Sequence, residues 1–98
     1  VELENGWVEF GTNHQSPVYF KDKYNIVHVD GVIKNGTATA GTTLCTLSNG
    51  CRPEKIILRS VKSSSGSSHV QIHPDGRVTI ETGANTYFSI GFSFLAYQ

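Results

Sequence analysis

A quarter of this chain is β-branched: Val 9, Ile 7 and Thr 9 stand against Leu 5, Ala 4 and no Met in 98 residues. Two heavy atoms on Cβ restrict χ1 in a helix and pack well on a pleated surface, so the bias selects strands. The punctuation agrees. Asn5-Gly6, Asn35-Gly36, Asn49-Gly50 and Asp75-Gly76 suit type I′ turns, which need positive φ at both central residues. No stretch carries a 3.6-residue apolar period. The expectation is an all-β chain, an antiparallel β-sandwich or jelly roll, forming one domain over residues 1–98.

The strands read as Trp7–Gly11, Val18–Lys21, a long Tyr24–Lys34 ending at Asn35-Gly36, and Thr37–Leu47. After a tight connection through Ser48-Asn49-Gly50 and Arg52-Pro53 comes Ile56–Lys62, with residues 63–68 as a flexible serine loop. His69–His73 and Arg77–Glu81 form a hairpin, and Tyr87–Tyr97 closes the chain. In the hairpin Val70, Ile72, Val78 and Ile80 alternate with polar residues, which gives one core face and one wet face. In the last strand Phe88, Ile90, Phe92, Phe94 and Ala96 share a face, opposite Tyr87, Ser89, Gly91, Ser93, Leu95 and Tyr97.

Eight Lys and Arg balance eight Asp and Glu. A neutral domain does not live by neutralising phosphate, which argues against a nucleic-acid partner and against a polybasic membrane surface. No apolar run approaches the roughly 20 residues of a membrane helix. The start, Val1-Glu2-Leu3, has neither a charged n-region nor an apolar signal core, so the chain reads as a piece of a longer protein.

The order of several short segments resembles one family. Asn5-Gly6-Trp7 then Phe10-Gly11, the run Val27-His28-Val29-Asp30-Gly31-Val32-Ile33-Lys34 before an Asn-Gly turn, Thr46-Leu47 with Gly50 and Arg52-Pro53, Ile72 with Asp75-Gly76 and Val78, and the closing Ser89–Phe94 are similar to the C-terminal head domains of tailed-phage receptor-binding and tail-fibre (baseplate) proteins. The likeness covers roughly residues 5–96. Ser48 departs from a usual Pro, Cys51 from a usual aromatic, and Asp30 from a common basic residue. The resemblance implies a β-sandwich head, a homotrimer at the tail tip or baseplate of a virion, that adsorbs to bacterial cell-wall or surface saccharide.

The chemistry-bearing residues fit recognition better than catalysis. His69 and His73 stand roughly 13 Å apart on one strand face, too far to share a zinc ion, so no metal is expected. No Gly-x-Ser-x-Gly elbow, Ser-x-x-Lys pair or phosphate loop is present, the serine loop would not hold a nucleophile in fixed geometry, and the carboxylates are scattered. No enzyme activity and no cofactor are expected. For saccharide, aromatic faces and hydroxyl-binding polar groups matter. Tyr87, beside the Gly83-Ala84-Asn85 loop, is the best platform among Trp7, Tyr19, Tyr87 and Tyr97. Trp7 suits packing at the base of the head, as the resemblance implies. His69, His73, Asp75 and Arg77 are the hydroxyl-binding candidates, and His28, Asp30 and Tyr97 suit a subunit interface. Cys45 and Cys51 would face each other if residues 47–49 closed a hairpin, but free thiols acting as small hydrophobes fit a virion part assembled in a reducing cytoplasm. Two further readings stand beside the saccharide-binding head: a trimerisation or assembly cap of a fibre tip, and a monomeric saccharide-binding module appended to a baseplate protein or lysin.

Overall fold

The computed structural model describes residues 2–97 and places ten strands, all pairings antiparallel, with no helix among the described residues. They are β1 (Val8–Glu9), β2 (Val18–Lys21), β3 (Ile26–Asp30), β4 (Val32–Lys34), β5 (Thr43–Thr46), β6 (Ile57–Ser63), β7 (Gly66–Ile72), β8 (Arg77–Thr82), β9 (Phe88–Ser89) and β10 (Phe92–Leu95). A seven-stranded sheet runs β1-β4-β9-β6-β7-β8-β5, and a three-stranded sheet runs β10-β3-β2. The chain is all-β, as its composition predicts, and its layers are those of a sandwich.

One two-stranded ribbon belongs to both sheets. Phe88 pairs with Ile33 and Ser89 with Val32; beyond the gap Phe92 pairs with Val29 and Leu95 with Ile26. The register is the same on both sides, and the Ile90 N–H donates to the Gly31 C=O at 2.9 Å across the break. The two long strands expected from sequence are therefore a continuous ribbon, creased at Gly31 and Gly91. The crease needs glycine at residue 31: φ is +148°, and a Cβ there would lie 2.4 Å from the Pro17 Cα. One half of the ribbon takes β1 and β6 as neighbours, the other takes β2.

Alternation along the ribbon builds the core. Phe88, Ile90, Phe92, Phe94 and Ala96 point inward with Val27, Val29 and Ile33, and join Val70, Ile72, Val78 and Ile80 of the β7–β8 hairpin in a single buried cluster. Burying a side chain of this size contributes about 1.5–3 kcal/mol. Trp7 is also in that cluster, 2% exposed, edge-on to Phe88 at 5.6 Å, so it is packing and not a platform. Its indole N–H is the buried side-chain polar atom without a partner among the described residues.

Four expectations are corrected. Residues 63–68 are not a flexible loop: Ser63 pairs with Gly66 around a two-residue turn, and the fully buried hydroxyls of Ser63 and Ser68 hydrogen-bond at 2.6 Å. The serines read as loop because their partners are each other. Of Thr37–Leu47 only Thr43–Thr46 is a strand, with residues 37–42 held by turns such as Thr42 N–H to Thr39 C=O. No hairpin forms at residues 47–49: β5 pairs β8 and the Leu47 N–H donates to the Gly76 C=O. Cys45 and Cys51 are free thiols, as expected. Among the Asx-Gly pairs only Asn5-Gly6 has positive φ at both residues. At Asp75-Gly76 the glycine alone takes it, as a three-residue hairpin loop requires.

Candidate functional site

The outward face of the creased ribbon carries the side chains left over from the core. In cross-strand rows it reads Val32/Ser89, then Asp30/Gly91, then His28/Ser93, then Ile26/Leu95, with Tyr87 before the first row and Tyr97 after the last. Two of the clefts along it gather the candidate side chains.

The first cleft, about 250 Å³, is lined by Phe10, His14, Val32, Lys62, Tyr87 and Ser89. Tyr87 is placed by the Ser64 N–H donating to its C=O, just ahead of β9. Phe10 is held from the other side by its N–H donating to the Val32 C=O at 2.9 Å. His14 packs against Phe10 at 4.5 Å and the Lys34 ammonium lies 5.2 Å from the ring centroid. The result is a mostly apolar floor with an aromatic on two walls and an ammonium, an imidazole and hydroxyls at its rim. Such a lining has the chemistry to hold the C–H face of a ring with polar groups in reach of its hydroxyls.

The second cleft, about 450 Å³, lies past the crease, among residues that include Val18, Phe20, His28, Asp30, Gly91 and Ser93. His28 does not pair with Asp30, as their adjacency would suggest. Its Nε2 is 2.9 Å from Asp22 Oδ2 and its Nδ1 is 3.1 Å from Ser93 Oγ. Phe20 stacks on the imidazole at 5.0 Å. Asp22 is fixed in turn, its Oδ1 accepting the N–H groups of Tyr24 at 2.8 Å and Ile26 at 3.1 Å. The hydrogen bond from His28, with those backbone donors, holds its carboxyl below the ordinary aspartate range. Asp30 accepts the Gly31 N–H at the crease.

The remaining candidates are elsewhere. His69, His73 and Arg77 do share the wet face of the β7–β8 hairpin, but each is engaged locally: His69 with Thr82 Oγ1 at 3.0 Å, His73 with Thr79 Oγ1 at 2.9 Å, Arg77 with Asp75 Oδ2 at 2.8 Å. That ion pair holds the Asp75 carboxyl below its usual range. The β6–β7 register puts Asp75 beyond the Ile57/Ile72 end, while Tyr87 sits at the Ser64 end, roughly 20 Å away. One small ligand does not touch both. Tyr97 is 63% exposed near the end of the ribbon, among Leu95, Ile56 and the Pro53 loop. Among the described residues no three His, Cys, Asp or Glu side chains converge as a metal site.

Sequence reasoning missed Phe10, Asp22 and Ser93. Phe10 lies in a segment read only as a short strand and Ser93 lies on a strand face that was read, but their cross-strand neighbours follow only from the register. Asp22 could have been found from the run Asp22-Lys23-Tyr24-Asn25, whose Asx turn carries the carboxylate back to residue 28. Compared with known proteins, the chain matches no family model, no curated protein and no solved structure.

Proposed function

We propose that this chain is a saccharide-recognising head domain of a tailed-phage receptor-binding protein, working as a homotrimer at the virion's tail tip or baseplate and binding without cutting the glycan chain. The observation that supports it best is the first cleft. Tyr87, the platform favoured by residue type and position, shares a mostly apolar cleft with a second aromatic, Phe10, under the Lys62 and Ser89 polar groups. Weak binding per head, repeated over a trimer and over several trimers on a virion, gives the avidity adsorption needs. Asp75, Arg77, His69 and His73 then belong to a separate wet face, and Tyr87 carries the site.

The experiment is retention of the purified domain on bacterial cell-wall polysaccharides, with Tyr87→Ala and Phe10→Ala in parallel and the mass of each followed by light scattering. Losing an aromatic platform should weaken retention about tenfold or more, with the mass unchanged. A trimer would weigh about 32 kDa, three times 10.7 kDa.

A second reading, an assembly cap that binds no sugar, is favoured by one feature. Val18, Phe20, Leu95 and Tyr97 are 44–63% exposed on or beside the outer face of the three-stranded sheet, next to His28 and Asp30. Large exposed apolar groups gathered on one face suit a subunit contact. Under that reading Tyr87→Ala leaves adsorption unchanged and Leu95→Glu disperses the trimer.

A further inference from the structure

Asp22, His28 and Ser93 form a connected acid–imidazole–hydroxyl chain, and we infer that Ser93 is a nucleophile toward short-chain carboxylic esters, with His28 as its base and Asp22 as the group that orients the base. A carboxylate can only accept, so the 2.9 Å contact puts the proton of the neutral imidazole on Nε2. Nδ1 is then bare, and the Ser93 hydroxyl donates to it at 3.1 Å. That arrangement is the one a serine nucleophile requires.

Each member is locked by a different element. Ser93 and His28 are directly opposed on β10 and β3. The flanking bonds, Ile90 N–H to Gly31 C=O and Ala96 N–H to Asn25 C=O, make theirs a non-hydrogen-bonded pair, in which facing side chains are closest. Phe20 stacks on the ring and fixes its plane, and two backbone N–H groups fix Asp22. The same alternation turns the Ser93 backbone N–H and C=O away from β3, toward the open edge of the three-stranded sheet. There Arg59 Nε donates to the Ser93 C=O at 3.2 Å, which sets a positive charge beside the nucleophile. Edge N–H and guanidinium are the donors at hand for a developing oxyanion.

In the step so formed, Ser93 Oγ bonds to the ester carbonyl carbon as its proton passes to His28 Nδ1. The tetrahedral adduct then expels the alcohol, which takes that proton. Water, activated by the same nitrogen, attacks acyl-Ser93, releases the carboxylic acid and restores the hydroxyl. The balance needs only ester and water. The site is open to solvent, so turnover is slow and confined to esters, whose leaving group is easier than an amide's. The His28/Ser93 row lies roughly 13 Å along the ribbon face from the Val32/Ser89 row of the first cleft. An O-acylated saccharide of a few residues reaches from one to the other. That natural substrate class rests on the saccharide reading; the reactivity of Ser93 does not.

The test is covalent labelling with a fluorophosphonate, followed by peptide mapping, with p-nitrophenyl acetate hydrolysis alongside. Ser93 should label at least tenfold faster than the exposed Ser67, and His28→Gln and Asp22→Asn should each slow that labelling. Ser93→Ala should abolish the adduct and lower acetate hydrolysis. Labelling of Ser93 no faster than Ser67, or unchanged in a folded Asp22→Asn variant, overturns the inference. Loss of polysaccharide retention in Tyr87→Ala alone bears on the saccharide reading and leaves Ser93 labelling intact.

Discussion

At the scale of single residues, burial and local partners decide which groups are available for chemistry. Cys45 is 1% exposed, and burial, with the Glu4 carboxylate adding to it, pushes its thiol up to about 12. The thiolate is the reactive form, so Cys45 is inert in the folded chain. Cys51 is half-buried. A native-state thiol titration should therefore label Cys51 first, with Cys45 following only at the rate of unfolding. Equal rates would mean that β5 opens easily. The aspartates give a second expectation. Asp22 and Asp75 titrate below the ordinary 3.8 in the folded protein, so in acid the unfolded chain binds protons that the folded chain does not. Their stabilisation is full above 3.8 and is lost as pH falls through the lower folded values. Denaturation midpoints should drop between roughly pH 5 and pH 2, and an Asp22→Asn, Asp75→Asn double variant should drop less.

At the scale of elements, the creased ribbon is the decisive device. Gly31→Ala would drive a methyl into the Pro17 backbone at a φ that only glycine takes comfortably, so it should cost roughly 3 kcal/mol or more, read from chemical denaturation. Gly41→Ala, with positive φ but open space around it, should cost less, about 1 kcal/mol. The alternations of residues 69–81 and 87–97 were legible because a strand with one buried face writes it as period two. The crease was not legible, because Gly31 and Gly91 sit inside runs that keep the same alternation on both sides. Neither was the Ser63/Ser68 pair, since a hydroxyl bonded to a hydroxyl is buried without any apolar mark. Tyr87 could be nominated from its loop-side position. Its partner Phe10 could not, because β1 reaches β9 only through β4, and that pairing is a property of the sheet.

At the scale of the whole molecule, the chain sorts its side chains by face. Inward side chains make one core, the hairpin's wet face satisfies itself, and the ribbon's outward face keeps clefts and a patch of exposed apolar groups. Zero formal net charge gives no net long-range pull on a charged ligand, so saccharide recognition as proposed would rest on contact. Raising salt from roughly 50 to 500 mM should leave polysaccharide retention nearly unchanged, since aromatic stacking and neutral hydroxyl bonds are not screened. A steep salt dependence would point instead to an anionic ligand at Lys62 and Lys34.

The most direct measurement is the affinity of the wild-type domain and of Tyr87→Ala for the same bacterial cell-wall polysaccharide, at equal oligomeric mass. Saturable binding by the wild type, weakened about tenfold or more in the variant, is the predicted result. Equal binding by both, or none by the wild type across cell-wall polysaccharides, would contradict the saccharide site at Phe10 and Tyr87 and leave the assembly cap as the better account.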